Sequence, residues 1–247
     1  MKRAAIVTGA SSGIGLAVSA MLVRKGYEVY GIARHFPEND FFDNEAFHAI
    51  ECDVTETERL CSTIKKIMSE AELYILVNGA GVGYYGLHEE LNPLKLKQMV
   101  RINLEAPMIL AQQTLRQLKK NKGFIINISS VTAQQSNPHG CAYGATKAGL
   151  TGFSKSLFDE VRKYGVRVAS IQPDMTKTNL YRNADFCEAE EEEARLLPEE
   201  VADAVEYIIG SRSGLAVQEI TLKPQLHRIR RKNAKQGDDK KIDDKKI

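Results

Sequence analysis

Three groups of residues have the types and spacing that chemistry needs. Thr8-Gly9-Ala10-Ser11-Ser12-Gly13-Ile14-Gly15 sets three glycines within eight residues. Glycines so placed allow a tight turn and a close backbone approach to a pyrophosphate. A helix starting behind them offers unpaired N–H groups and the positive end of its dipole to the phosphate charge. Tyr143-x-x-x-Lys147 puts a phenol and an ammonium on adjacent turns of one helix face. Such pairs are common on helix surfaces and mean little alone. Ser129-Ser130 adds weight, because hydroxyls that close the apolar run 124–128 stand at the carboxyl edge of a sheet.

The surrounding pattern supplies the elements that must hold these groups. Residues 4–7 are a short apolar run of the kind buried on both faces of a parallel sheet, and the run stops at Thr8-Gly9. From Gly13 the apolar residues Ile14, Ala17, Val18, Met21 and Leu22 recur at helical spacing until Gly26. Further strands are expected at 27–33, 46–52, 73–77, 124–128, 166–171 and 216–222. The intervening helices are expected at 56–69, 93–120, 142–164 and 198–209. This order predicts an α/β fold: a single doubly wound domain whose parallel sheet of about seven strands has helices on both faces. Such sheets bind ligands beyond the carboxyl ends of their strands. Residues 34–45 leave little room for a crossover helix. Residues 174–197 form the longest stretch without periodicity and read as a lid or binding loop, with the four glutamates 190–193 as a solvated face.

A chain of 247 residues, 43% hydrophobic and 27% charged, is long enough to bury its own core and is neither collagen-like nor wholly disordered. Its four cysteines form no Cys-x-x-Cys pair and have no His at ligand spacing, so neither a disulfide framework nor a metal site is expected, and the compartment reads as cytoplasmic. Residues 227–247 hold nine Lys or Arg against four Asp; with a whole-chain charge of +2, the remainder carries −3. We therefore divide the chain into a domain at 1–226 and a charged, disordered tail at 227–247. A mildly acidic body is not the footprint of a nucleic-acid binder. The uncharged stretch 4–23 is interrupted by Thr8, Gly9, Ser11, Ser12, Gly13 and Gly15, so it reads as neither a signal core nor a membrane span.

Taken together, Thr8-Gly9-(x3)-Gly13-Ile14-Gly15, Asp53-Val54, Asn78-Gly79-Ala80-Gly81, Asn103, Ser130 thirteen residues before Tyr143, Lys147, and Pro173 with Thr178 resemble the short-chain dehydrogenase/reductase family. The resemblance runs in order from about residue 3 to 224, and the ending 217–224 is most similar to the branch acting on small ketones, 3-hydroxy acids and 3-hydroxy amino acids. It implies a Rossmann domain transferring hydride between a nicotinamide cofactor and a secondary alcohol/ketone pair. In that reading Tyr143 is the general acid, favoured as phenolate by Lys147, since an ordinary phenol titrates near 10. Lys147 also holds the cofactor ribose, Ser130 the substrate oxygen, and Asn103 a water that relays protons from Lys147. Gly9, Ser11, Ser12, Gly13, Ile14 and Gly15 cradle the cofactor phosphates. Asp53 and Val54 meet its adenine, Asn78 and Ala80 its ribose side, and Pro173 and Thr178 complete the cofactor contacts. A homodimer or homotetramer is also implied.

Cofactor choice has a physical argument. NAD selection usually rests on a carboxylate after the second strand, which would repel a 2′-phosphate. Here the strand ends Gly31-Ile32-Ala33-Arg34, and Arg34 offers a charge-assisted fork to that phosphate, so NADP(H) is favoured over NAD(H). The sequence departs from the family pattern at Gly79, where a second Asn is usual; at Asp174, where Gly is usual after Pro173; and at Tyr74, where an acid is common. Gly79 is expected to loosen the central strand, and Asp174 to add negative charge near the nicotinamide. Two alternatives stay open: a cofactor-binding sensor without significant catalysis, and an NAD-linked 3-hydroxy acid dehydrogenase. Tyr84 and Tyr85 either flank the pocket or pack a loop, His139 reads as an exposed loop residue, and Cys141 has no evident electropositive partner besides Lys147.

Overall fold

Alternation of apolar side chains along each strand decides which of two cores it serves. A computed structural model describes residues 3–232 of the chain. Its first strand, β1 (Arg3–Thr8), is buried from Ala4 onward. Ala5 and Val7 turn to one face of the sheet and Ile6 to the other. After it come α1 (Gly13–Arg24), β2 (Glu28–Ala33), β3 (Phe47–Glu51), α2 (Thr57–Glu70), β4 (Glu72–Asn78), α3 (Pro93–Val100), α4 (Ala106–Asn121) and β5 (Phe124–Ile128). The chain continues through α5 (Cys141–Val161), β6 (Arg167–Pro173), β7 (Phe186–Glu188), α6 (Pro198–Gly210), β8 (Glu219–Leu222) and β9 (Ile229–Arg231).

Seven strands pair in parallel in the order β3-β2-β1-β4-β5-β6-β8. Strand order reverses between β1 and β4, where Ala5 lies between Val29 and Ile75. On one face Val18, Met21 and Leu22 of α1 and Val201, Val205 and Ile208 of α6 pack on the sheet. On the other, Leu60 and Ile64 of α2, Leu110 and Leu118 of α4, and Phe158 and Val161 of α5 do the same. This is the doubly wound α/β domain that the alternation predicts. Residues 4–23 are β1, the glycine turn and most of α1, and no helix among the described residues is long and apolar enough to cross a membrane.

The structure differs from the sequence expectation in three places. The helical region 93–120 is divided by a π turn, Arg101–Glu105, between α3 and α4. The wider turn carries Asn103 into the interior, where it is fully buried. Second, residues 227–232, assigned to the disordered tail, contain β9, which pairs antiparallel with β7 in a separate two-stranded ribbon. The partners that order this stretch are acids about 40 positions earlier: Glu191 for Arg228 and Glu190 for Arg230, at 2.8 and 2.5 Å. Those two glutamates are thus paired across the ribbon rather than simply solvated; the rest of the expected tail, 233–247, lies outside the described residues. Third, the last sheet strand is Glu219–Leu222, shorter than 216–222.

Between β2 and β3 there is no α-helix, only a single 3-10 turn, Asp40–Asp43. Phe36, Phe41 and Phe42 pack around Phe47 in its stead, with ring centroids 4.9–6.0 Å from that ring. Gly31 makes room, since a Cβ there would lie 2.3 Å from the Phe47 ring.

Candidate active site

A cleft runs along the carboxyl ends of the strands at the point where their order reverses. Its floor begins at the turn between β1 and α1. Gly9 and Gly13 take φ of +72° and +53°, a region that favours glycine. A Cβ on Gly9 would lie 2.9 Å from the Ala80 backbone, and one on Gly15 would lie 2.2 Å from the Gly9 carbonyl oxygen. The turn is tied to the end of β4 because Thr8 Oγ1 accepts the N–H groups of Gly79 and Ala80, each at 3.2 Å. Ser12 caps α1 with extended backbone and no side-chain bond to the helix, so the first N–H groups of α1 have no protein side chain as cap. Gly9, Ser11, Ser12, Gly13, Ile14 and Gly15 all line the cleft.

At one end the cleft is bounded by Arg34 after β2 and by Asp53 and Val54 after β3. Arg34 is exposed, and Asp53 Oδ1 accepts the Thr55 N–H at 2.8 Å. Across from the glycine turn, Pro173 ends β6 and Thr178 follows it; the Thr178 methyl would lie 3.1 Å from a Cβ on Gly13. The cradle and a helix N-terminus without a side-chain cap together fit the diphosphate of an extended dinucleotide.

At the other end stand Ser130, Tyr143 and Lys147. All three are buried, with Tyr143 only 3% and Lys147 only 4% exposed. The Ser130 hydroxyl acts on the Tyr143 phenol. Ser130 Oγ accepts the Thr132 N–H at 3.2 Å, which leaves its own proton to donate. Lys147 Nζ sits 5.7 Å from the Tyr143 ring centroid and donates to the Ile128 carbonyl at 2.8 Å. Burial pushes the Tyr143 phenol above its usual range and the Ser130 hydroxyl pulls it back. Burial also lowers the Lys147 ammonium to about 8. Desolvation therefore governs both groups, and the lowering influence on the phenol comes from Ser130 rather than from Lys147 as expected.

Ala80 lines the cleft, but Asn78 and Asn103 do not. Asn78 Nδ2 turns into the sheet and donates to Asn127 Oδ1 at 2.7 Å, and Asn127 Nδ2 donates to Ser154 on α5 at 2.8 Å. Asn103 Oδ1 accepts the Val82 N–H at 2.9 Å, and its Nδ2 donates to the Val82 carbonyl at 2.9 Å and to Thr146 at 3.1 Å. It thereby clamps the strand exit at Gly81-Val82 to the helix that carries Tyr143 and Lys147. Gly79 does not loosen β4: a Cβ there would lie 2.8 Å from the Thr8 carbonyl oxygen, so the tight packing calls for glycine.

Other residues around this end come from Tyr84-Tyr85 and from 174–197, the stretch read as a binding loop. Tyr84 and Tyr181 line the cleft, while Tyr85 packs behind them against Tyr143, with ring centroids 5.6 Å apart. Tyr181, Tyr85 and Phe186 join in one aromatic group drawn from two loops. Asp174 also lines the cleft, but its carboxylate is engaged by the Met175 N–H at 2.8 Å. His139 is exposed, and Cys141 lies 3.5 Å from His88 Nδ1, a neighbour the sequence did not suggest.

Comparison with known proteins agrees with this geometry. The family model described as short chain dehydrogenase matches residues 3–187. An uncharacterized oxidoreductase of Staphylococcus epidermidis is 31% identical over 228 residues, which cover 90% of this chain and 97% of that protein. The farnesol dehydrogenase of Aedes aegypti is 29% identical over 240 residues, covering 90% and 96%. The crystal structure of a metagenomic short-chain oxidoreductase in complex with NADP superposes with a TM-score of 0.77 at 26% identity, covering 91% of this chain and 97% of that one. A chain matched over most of its length by that family model, and wound in that strand order, belongs to the short-chain dehydrogenases, a family of oxidoreductases.

Proposed function

We propose that the protein is an NADP(H)-dependent oxidoreductase that interconverts a ketone and a secondary alcohol, with Tyr143 as the proton donor and acceptor. The observation that carries this reading is the burial of Ser130, Tyr143 and Lys147 together at one end of a cleft floored by the glycine turn. Gly9, Ser11, Ser12, Gly13, Ile14 and Gly15 would hold the cofactor diphosphate, with Thr178 and Pro173 opposite. Asp53 and Val54 would hold its adenine, and Ala80, above Asn78, its ribose. When bound, the cofactor supplies or accepts the hydride. Tyr143 is protonated in its buried setting and would donate its proton to the carbonyl oxygen as it becomes an alkoxide, a far stronger base, during reduction. Ser130, whose oxygen is occupied by Thr132, donates its hydroxyl proton to the same oxygen. Lys147 supplies the positive charge that favours the phenolate left behind, and would also hold the cofactor ribose. Asn103 anchors the α5 side of the site through Val82 and Thr146 and would act on catalysis by fixing the helix that carries Tyr143 and Lys147.

NADP(H) is favoured over NAD(H) because Arg34, and no acid, follows β2 at the cleft end. The NADP complex of the metagenomic relative supports the same choice. The reading is tested by NADPH oxidation across ketones, 3-oxo acids and 3-oxoacyl thioesters. Tyr143→Phe is expected to lower turnover by roughly 10²–10⁴-fold while NADPH affinity stays within about threefold; full activity in that variant refutes the assignment. Arg34→Ala is expected to weaken NADPH roughly 10- to 100-fold, the range of a charge-assisted hydrogen bond, and to leave NADH nearly unchanged. Equal losses for both cofactors in a fluorescence titration refute the choice of NADP(H).

A further inference from the structure

The loop between β6 and α6 carries an acidic run, and the last described residues carry a basic one. Asp185, Glu188 and the glutamates 190–193 put six acids into nine residues, while Arg228, Arg230, Arg231 and Lys232 put four cations into five. The two runs lie side by side. The Leu226 N–H donates to the Glu193 carbonyl at 2.8 Å and the Lys232 N–H to the Asp185 carbonyl at 2.7 Å. Between these bonds β9 pairs with β7, Arg230 opposite Cys187. Arg228 reaches Glu191 at 2.8 Å, Arg230 reaches Glu190 at 2.5 Å, and Lys232 Nζ donates to the Tyr181 carbonyl at 2.5 Å. The same loop also carries aromatic rings toward the reacting end. Phe186 has its ring centroid 5.1 Å from Tyr85 and 5.5 Å from Tyr181, and Tyr85 in turn contacts Tyr143.

We propose that residues 226–232 are a basic strap holding the acidic loop against the Tyr143 end of the cleft, and that Arg228 and Arg230 are positioning residues for an apolar substrate wall, Tyr181, which lines the cleft and is backed by Tyr85 and Phe186. The proposal rests on the reading of Tyr143 as the group that meets the carbonyl. Six acids in one short loop repel each other, and the strap offsets that repulsion where the loop would otherwise swing outward. Each ion pair is exposed and individually weak. The strap therefore governs how closed the loop is rather than whether the domain folds. Tyr181, lining the cleft beside the reacting phenol and held by the rings of Tyr85 and Phe186 behind it, fits a ketone bearing an apolar, above all aromatic, group.

The test is the double charge reversal Arg228→Glu with Arg230→Glu in the full chain, using acetophenone as the probe ketone. Its KM is expected to rise about tenfold, with kcat within about threefold and NADPH affinity unchanged. Thermolysin is expected to cut beside Phe186 several times faster. Reversing the partners as well, Glu190→Arg with Glu191→Arg, is expected to bring both readouts back toward the parent values. A double variant with parental KM and parental cleavage, or a fourfold variant that restores neither, overturns the strap. Reduction of acetoacetate at a KM as low as that for acetophenone overturns the apolar wall. If the parent chain reduces no carbonyl compound at all, the hydride-transfer reading falls, and the cleavage rates of the three proteins decide on the strap alone.

Discussion

Lys147 keeps an ammonium in the interior by donating it to the carbonyl of Ile128, and this has a measurable effect on stability. Burial holds its folded-state value to about 8, below the ordinary 10.5. Below pH 8 both folded and unfolded chains carry the proton, and the native state bears the full cost of the buried charge. Between about 8 and 10.5 the unfolded chain still binds the proton and the native chain does not, so stability rises with pH through that window. Relative to Lys147→Met, the parent is expected to gain on the order of 2 kcal/mol between pH 8 and 10. Urea unfolding of the two proteins across that range checks it, and parallel curves would contradict it. At this scale the reacting end was legible where one element carries the group: Tyr143 and Lys147 are a helical turn apart, and Ser130 follows a strand. Tyr85, Tyr181 and Phe186 were not, because their meeting depends on the path of two loops, and no period in the sequence encodes that path.

Elements were read from periods of 2 and 3.6, and the sheet order follows from them with few alternatives. The glycine turn was legible for the same reason, since a strand and a helix with three glycines between them leave few other conformations. Gly15→Ala tests how closely that turn is packed. A methyl 2.2 Å from the Gly9 carbonyl oxygen has no room, so the substitution is expected to cost about 1–3 kcal/mol and to weaken NADPH binding; chemical denaturation and nucleotide titration measure the two effects. The π turn was invisible because one wider turn does not alter the apolar pattern of the helices on either side of it. β7 and β9 escaped for another reason. Each has three residues, too few for alternation to register, and their pairing rests on charges about 40 positions apart.

At the scale of the whole molecule, a ligand along the strand ends touches the glycine turn, β2, β3, β6 and α5 together, so its binding should be felt as global stability. At 100 times its dissociation constant NADPH is expected to add about 2.7 kcal/mol, and at the same concentration NADH is expected to add less. Thermal unfolding with each nucleotide measures this, and equal shifts would count against Arg34 as the selecting group. The placement of Lys147 carries a consequence of another kind. Its ammonium is anchored to a main-chain oxygen at the rim of the sheet, whereas Tyr181 and Phe186 lie on a loop tied to residues 226–232. On the proposed reading, proton chemistry and molecular recognition are thus built on separate supports. Mutations confined to 174–232 could retarget such a protein to new compounds while its acid–base apparatus stays as it is.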